Sequence, residues 1–184
     1  MALLIRGLVL FVGIHILPNF GGPLAALVAR LGKAGYNILF SLVSADGLVL
    51  TGIGYGQAPQ EQIFEPSQTA RTLLPAAMAV AFVLVAAGSI PGRLRHLLRH
   101  PILTGILIWA GFHLLANGDL ASNILFGAFA LWAVLAILSA TYRGKRPGRT
   151  DGSFKVDLAG IAAGLLLYAI VFRFHAELFG VAPV

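Results

Sequence analysis

The stretch RHPILTGILIWAGFHLLANGDLAS (residues 99–122) is almost wholly apolar, yet it carries His100 near its start and His113 near its end. Imidazole is a metal ligand, a proton carrier and a pH-sensitive switch. The two are thirteen residues apart. On one straight helix they differ in depth by about 20 Å and in direction by about 220°. They therefore cannot hold one metal ion together and must do different jobs. His113 lies inside apolar surroundings, where an imidazole faces protein, a cavity or a cofactor; a helix-to-helix hydrogen bond would satisfy it equally. Arg99 and His100 precede Pro101, a favoured first helical residue. They read either as interfacial residues facing lipid headgroups or as holders of an anionic or redox ligand at a helix N-terminus. His96 shares the His100 face only if the helix begins four residues earlier.

Two further ionisable residues lie in apolar runs. Asp46 sits in the middle of Tyr36–Tyr55, where a carboxylate is costly unless paired or protonated. Counting from Tyr36, it comes within about 5 Å of the depth of His113. An Asp46–His113 contact would orient the ring as supporting carboxylates do; a protonated Asp46 bonded to a neighbouring backbone is the alternative. His15 stands at the end of the first run, at the depth of His100 rather than of His113. Asn117-Gly118 is a turn signal, and Asp119 with Ser122 caps the next helix. Trp109, Phe112, Phe126, Phe129 and Trp132 read as packing or as the lining of a flat-ligand site.

There are no cysteines, so thiolate ligation and disulfides are excluded. No phosphate-binding loop, nucleophile elbow, zinc-protease motif or paired-carboxylate arrangement is present. GIGYG (Gly52–Gly56) reads as a helix ending in small residues.

These residues must be positioned by membrane helices. The 184-residue chain is 58% hydrophobic and 11% charged, with a mean hydropathy of +0.88. Soluble domains carry about 25% charged residues, so lipid is the natural solvent and one membrane domain spans 1–184. Six apolar segments stand out: Ala2–Leu17, Tyr36–Tyr55, Leu73–Ile90, Ile102–Ala116, Leu120–Ala140 and Val156–Phe174. Backbone groups in lipid must bond within their own segment, so the fold class is all-α, a bundle of about six transmembrane helices. The first segment lacks a cleavage-site pattern and reads as a retained span. Gly22–Gly32 reads as an amphipathic helix in the interface.

Charge sets the orientation. Ten of the thirteen basic residues fall in alternate loops: Arg30 and Lys33; Arg93, Arg95 and Arg99; Arg143, Lys145, Arg146, Arg149 and Lys155. The positive-inside rule puts these loops in the cytoplasm and both termini outside, in the periplasm of a bacterial inner membrane. The net charge of +6 is thus a topology signal and not a nucleic-acid surface. The loops Gly56–Ala70 and Arg143–Gly152 read as solvated connectors.

GIHILP (Gly13–Pro18), YNILFSLVSADGLVLTGIGYG (Tyr36–Gly56), PGRLRHLLRHP (Pro91–Pro101) and, most specifically, HLLANGDLASNILFG (His113–Gly127) make the chain resemble the NnrU family of bacterial inner-membrane proteins. That family is associated with denitrification and nitric-oxide metabolism, and it is similar to plant and cyanobacterial 15-cis-ζ-carotene isomerase. The resemblance implies haem b with His15 and His113 as axial ligands, and His100 matches a further shared histidine. An alternate cysteine ligand would fall near Ala110, which excludes thiolate switching here. A shared iron conflicts with the depth reading of His15 unless the first segment is short and re-entrant. RHPILTG (Arg99–Gly105) is also similar to the RHPxYxG signature of isoprenylcysteine-type membrane methyltransferases, but Leu103 replaces the tyrosine.

Three functions follow as expectations. The first is a haem b-binding membrane protein with a redox or denitrification-linked role. The second is a haem-dependent cis-trans isomerase acting on a hydrophobic polyene of the carotenoid class entering from the lipid bilayer. The third is a non-catalytic transport or assembly protein whose histidines and Asp46 line a polar pathway. On the first two, the cofactor-binding residues are His15, His113, His100, Arg99, Asn117 and Asp46.

Overall fold

The computed structural model describes residues 1–144 and 152–180. Lys145, Arg146 and Arg149 of the third basic loop lie outside the described residues. Among the described residues all regular structure is helical: α1 (Ala2–Ile16), α2 (Gly21–Gly56), α3 (Gln68–Ser89), α4 (Arg93–Leu97), α5 (Pro101–Ala116), α6 (Leu120–Tyr142), α7 (Phe154–Arg173) and α8 (His175–Phe179). Five stretches are long and apolar enough to cross a membrane: Ala2–Asn19, α2, α3, α6 and α7. The sixth expected segment is α5, apolar but only sixteen residues long. It is about 24 Å in length, against a hydrocarbon layer of about 30 Å.

Helix ends follow local chemistry. Pro18 lies in a 3-10 turn, Leu17–Asn19, that closes α1. Gly32 breaks α2 with φ 71°, a left-handed value that glycine adopts without strain. The part of α2 before it is mostly exposed. Ser67 caps α3 by accepting from Ala70 N at 3.2 Å, and Asp119 caps α6 by accepting from Ser122 N at 2.7 Å. The cap expected at Asp119 and Ser122 is therefore formed.

The spanning helices lie side by side in the order α2, α1, α6, α5, α3, α7. Two kinds of seam occur along this row. Where α1 meets α2, small residues let the backbones touch: a side chain at Gly47 would begin 2.8 Å from Phe11 N, and one at Gly54 would meet the backbone of Leu4. Where α1 meets α6, Phe11, Phe129 and Trp132 hold the helices apart. The aromatic seam continues to α5 through Trp109 and encloses Ala110, which is fully buried. Gly47→Leu is expected to split the close seam and lower stability by about 1–3 kcal/mol or more, as overpacking does. The loss of folded monomer during heating in detergent measures it.

The Gly56–Ala70 connector is more than a solvated loop. Ile63 N and Phe64 N donate to Gly118 O at 2.8 and 3.2 Å, Leu120 N donates to Glu61 O at 2.9 Å, and Ser67 N donates to Leu115 O at 2.9 Å. Arg71 Nε donates to Ala116 O at 2.9 Å. The loop is strapped over the α5–α6 turn because that turn leaves carbonyls open at the helix end.

Candidate functional site

His15 and His113 share one local construction. His15 Nδ1 donates to Phe11 O at 2.7 Å and His113 Nδ1 donates to Trp109 O at 2.8 Å, each one turn back on its own helix. In the neutral imidazole this makes both rings Nδ1–H tautomers, with Nε2 as the lone-pair nitrogen. Among the described residues neither Nε2 makes a hydrogen bond. A ligating imidazole has this arrangement, with one nitrogen tied to a carbonyl and the other presented outward.

Both rings face the aromatic wall of α6. His113 stacks on Phe126, with centroids 4.6 Å apart and planes at 25°, and touches Trp109 at 5.7 Å. His15 lies against Phe11 at 4.1 Å, Phe40 at 4.9 Å and Trp132 at 5.3 Å. The imidazoles make no ring contact with each other. Phe129 joins their surroundings, 5.3 Å from Phe11 on one side and 5.3 Å from Trp109 on the other.

This placement corrects the depth reading of His15. Its partner Trp132 is six residues along α6 from Phe126, about 9 Å from the level of His113. His100 Nε2 shares a hydrogen bond with Thr141 Oγ1 at 3.3 Å, nine residues beyond Trp132 and about 13 Å further along α6. His15 is thus nearer the depth of His113 than that of His100. The reason is that α1 is short: it ends at Ile16 and turns into the exposed first part of α2 before reaching the level of Thr141.

The other expected site residues do not join this pair. Asp46 is exposed on α2 and does not reach His113. It is nine residues from Tyr55, which faces α6, so at 100° per residue it points the opposite way. Asn117 ends α5, its N–H donating to His113 O at 2.9 Å, so its observed role is to close the helix that carries His113. Arg99 and His100 sit at the far end of α5. Arg99 has a left-handed φ of 57°, and its Nε is buried without a hydrogen-bond partner. Partial burial first, then the Arg99 charge, holds the His100 pKa below the ordinary imidazole value. His96 belongs to α4 and not to the helix of His100.

Three contributors escaped the sequence reading. Phe11 and Phe40 pack on His15, and Tyr55 Oη bonds Ser122 Oγ at 2.9 Å across the α2–α6 seam. A signal for the first was present. FVGIH (Phe11–His15) and WAGFH (Trp109–His113) share an aromatic residue, a glycine and a histidine at the same spacing. That spacing places the aromatic ring one turn before the imidazole on both helices.

A family model described as NnrU protein matches residues 3–183, nearly the whole chain. The chain belongs to the NnrU family. No curated protein and no solved structure matches it. All four segments that carry the resemblance lie inside the family match, as do both histidines of the aromatic wall.

Proposed function

We propose that this NnrU-family membrane protein holds haem b between its first and fifth helices and uses it in redox chemistry linked to nitrogen oxides. The observation that carries the reading is the matched pair of imidazoles. His15 and His113 each have Nδ1 tied to their own helix, leave Nε2 uncommitted, and open onto one aromatic wall. The donor set fits a b-type haem, which takes neutral imidazoles from packed helices. Phe126, Phe129, Trp109 and Trp132 supply the apolar aromatic surface that a flat macrocycle packs against. When bound, haem supplies a one-electron couple and an iron centre with affinity for nitrogen oxides. The chain's own part is to present two ring nitrogens, hold their tautomers through Phe11 O and Trp109 O, and keep water away. The outer loop contributes to the last of these by closing over the α5–α6 turn.

The test is the reduced-minus-oxidised visible spectrum of detergent-purified protein expressed with ample haem. A b-type Soret and α band supports the reading, and their absence removes it.

The bilayer is proposed to be a bacterial inner membrane, with the Arg93–Arg99 loop cytoplasmic and the Glu61–Glu65 loop periplasmic, on the strength of the basic-loop asymmetry. Because the chain has no cysteines, single introduced thiols report sidedness directly. Glu61→Cys is expected to react with an impermeant maleimide on intact spheroplasts. Arg95→Cys is expected to react only after permeabilisation.

A further inference from the structure

Ser44 Oγ is buried and has no hydrogen-bond partner. Hydroxyls in apolar helices ordinarily return to the carbonyl four residues back, and this chain follows that habit elsewhere. Thr51 bonds Gly47 O at 2.7 Å, Thr72 bonds Gln68 O at 3.0 Å, Ser89 bonds Val85 O at 2.8 Å and Thr104 bonds His100 O at 3.0 Å. Ser44 does not. A buried hydroxyl without a partner is unfavourable in protein and more so in lipid.

Its location is fixed by two neighbours on α2. Gly47 lies against the backbone of Phe11, and the Phe40 ring lies 4.9 Å from His15. Ser44 is between Gly47 and Phe40, and α1 runs antiparallel to α2, so it stands level with the Phe11–His15 turn. Its direction follows from Tyr55. Eleven residues at 100° bring Tyr55 to within about 20° of the Ser44 direction, and Tyr55 reaches Ser122 of α6. Ser44 therefore shares the face that looks onto the seam holding His15 and Trp132.

We propose that Ser44 is a binding residue for the group seated against His15, its hydroxyl donating a hydrogen bond to a carboxylate oxygen at the edge of that group. This rests on the haem reading, in which the carboxylate is a haem propionate. Hydrogen bonds to charged acceptors are among the stronger ones.

The experiment titrates ferric haem b, and its dimethyl ester, into detergent-purified protein expressed without haem supply. Ser44→Ala is expected to weaken binding of the free acid about tenfold, within the range of a hydrogen bond to a charged group. It should leave binding of the ester nearly unchanged, while Ser44→Thr retains the affinity. Ligand-free Ser44→Ala should melt no lower than the parent, because the change removes an unpaired hydroxyl. Equal losses for acid and ester would overturn the carboxylate contact, and so would unchanged binding of the acid. A lower melting temperature of the ligand-free variant would also overturn it, showing that the hydroxyl serves the fold itself. Failure of the parent protein to bind either form removes the haem reading and this assignment together. A binding parent with an indifferent Ser44→Ala removes the Ser44 assignment alone.

Discussion

On the proposed haem reading, His113→Ala is expected to abolish the b-type Soret and α bands, with a fall in haem affinity of at least about hundredfold. The floor comes from supporting residues of metal sites, whose loss alone costs about 10–100-fold; removal of a ligand itself costs more. No thiolate can replace the imidazole. The ring is packed among Phe126 and Trp109, and the chain has no cysteine. His15→Ala is expected to act differently. It leaves His113 tethered to Trp109 O, so weaker binding with an altered, high-spin spectrum is the expected result. Survival of unaltered bands in His113→Ala would remove His113 from the site. An unchanged spectrum in His15→Ala would show that the second ligand is another group. The two spectra, recorded beside the parent, also test whether imidazoles at levels about 9 Å apart along α6 serve one iron.

Gly118→Val should detach the loop strapped over the α5–α6 turn. A side chain at Gly118 would meet Gln62 Nε2 and Phe64 O, and Gly118 O is the acceptor for Ile63 N and Phe64 N. Overpacking costs about 1–3 kcal/mol, and each lost backbone hydrogen bond adds about 0.5–1.5 kcal/mol. A net destabilisation of about 3 kcal/mol is therefore expected. Brief proteolysis of oriented vesicles would read it as new cleavage between Glu61 and Glu65, together with a lower melting temperature. If the loop also keeps water from the His113 end, haem in the variant should dissociate faster than in the parent. Unchanged cleavage and melting would show that the strap contributes no stability.

The legible part of this protein lies in its helices. Apolar runs of nearly bilayer length, separated by polar loops, have one physical solution in lipid, because every backbone group must bond within its segment. The six segments, the helix start at Pro101 and the cap at Asp119 all follow from local chemistry. So does the Gly32 break, whose left-handed backbone suits glycine. His113 could be singled out for the same reason, since an imidazole in an apolar helix needs a partner wherever the helix packs.

Which residues meet was decided only by packing. Asp46 and His113 lie within a few ångströms of one depth on paper, about 5 Å by helix rise. Rotation of α2 about its axis, set by the contacts of Gly47 and Gly54 with α1, turns Asp46 outward and Ser44 inward. Depth is additive along a helix and can be counted from sequence. Azimuth is shared between neighbours and is settled by which small residues let which helices approach. The same cause moved His15, because the end of a short α1 is located by its seam with α2 and α6, not by its own composition. The sequence by itself determined that the chain is a membrane bundle of this family and which imidazoles it contains. Tertiary structure alone decided that two of them share an aromatic wall, because that depends on the order in which the helices stand side by side.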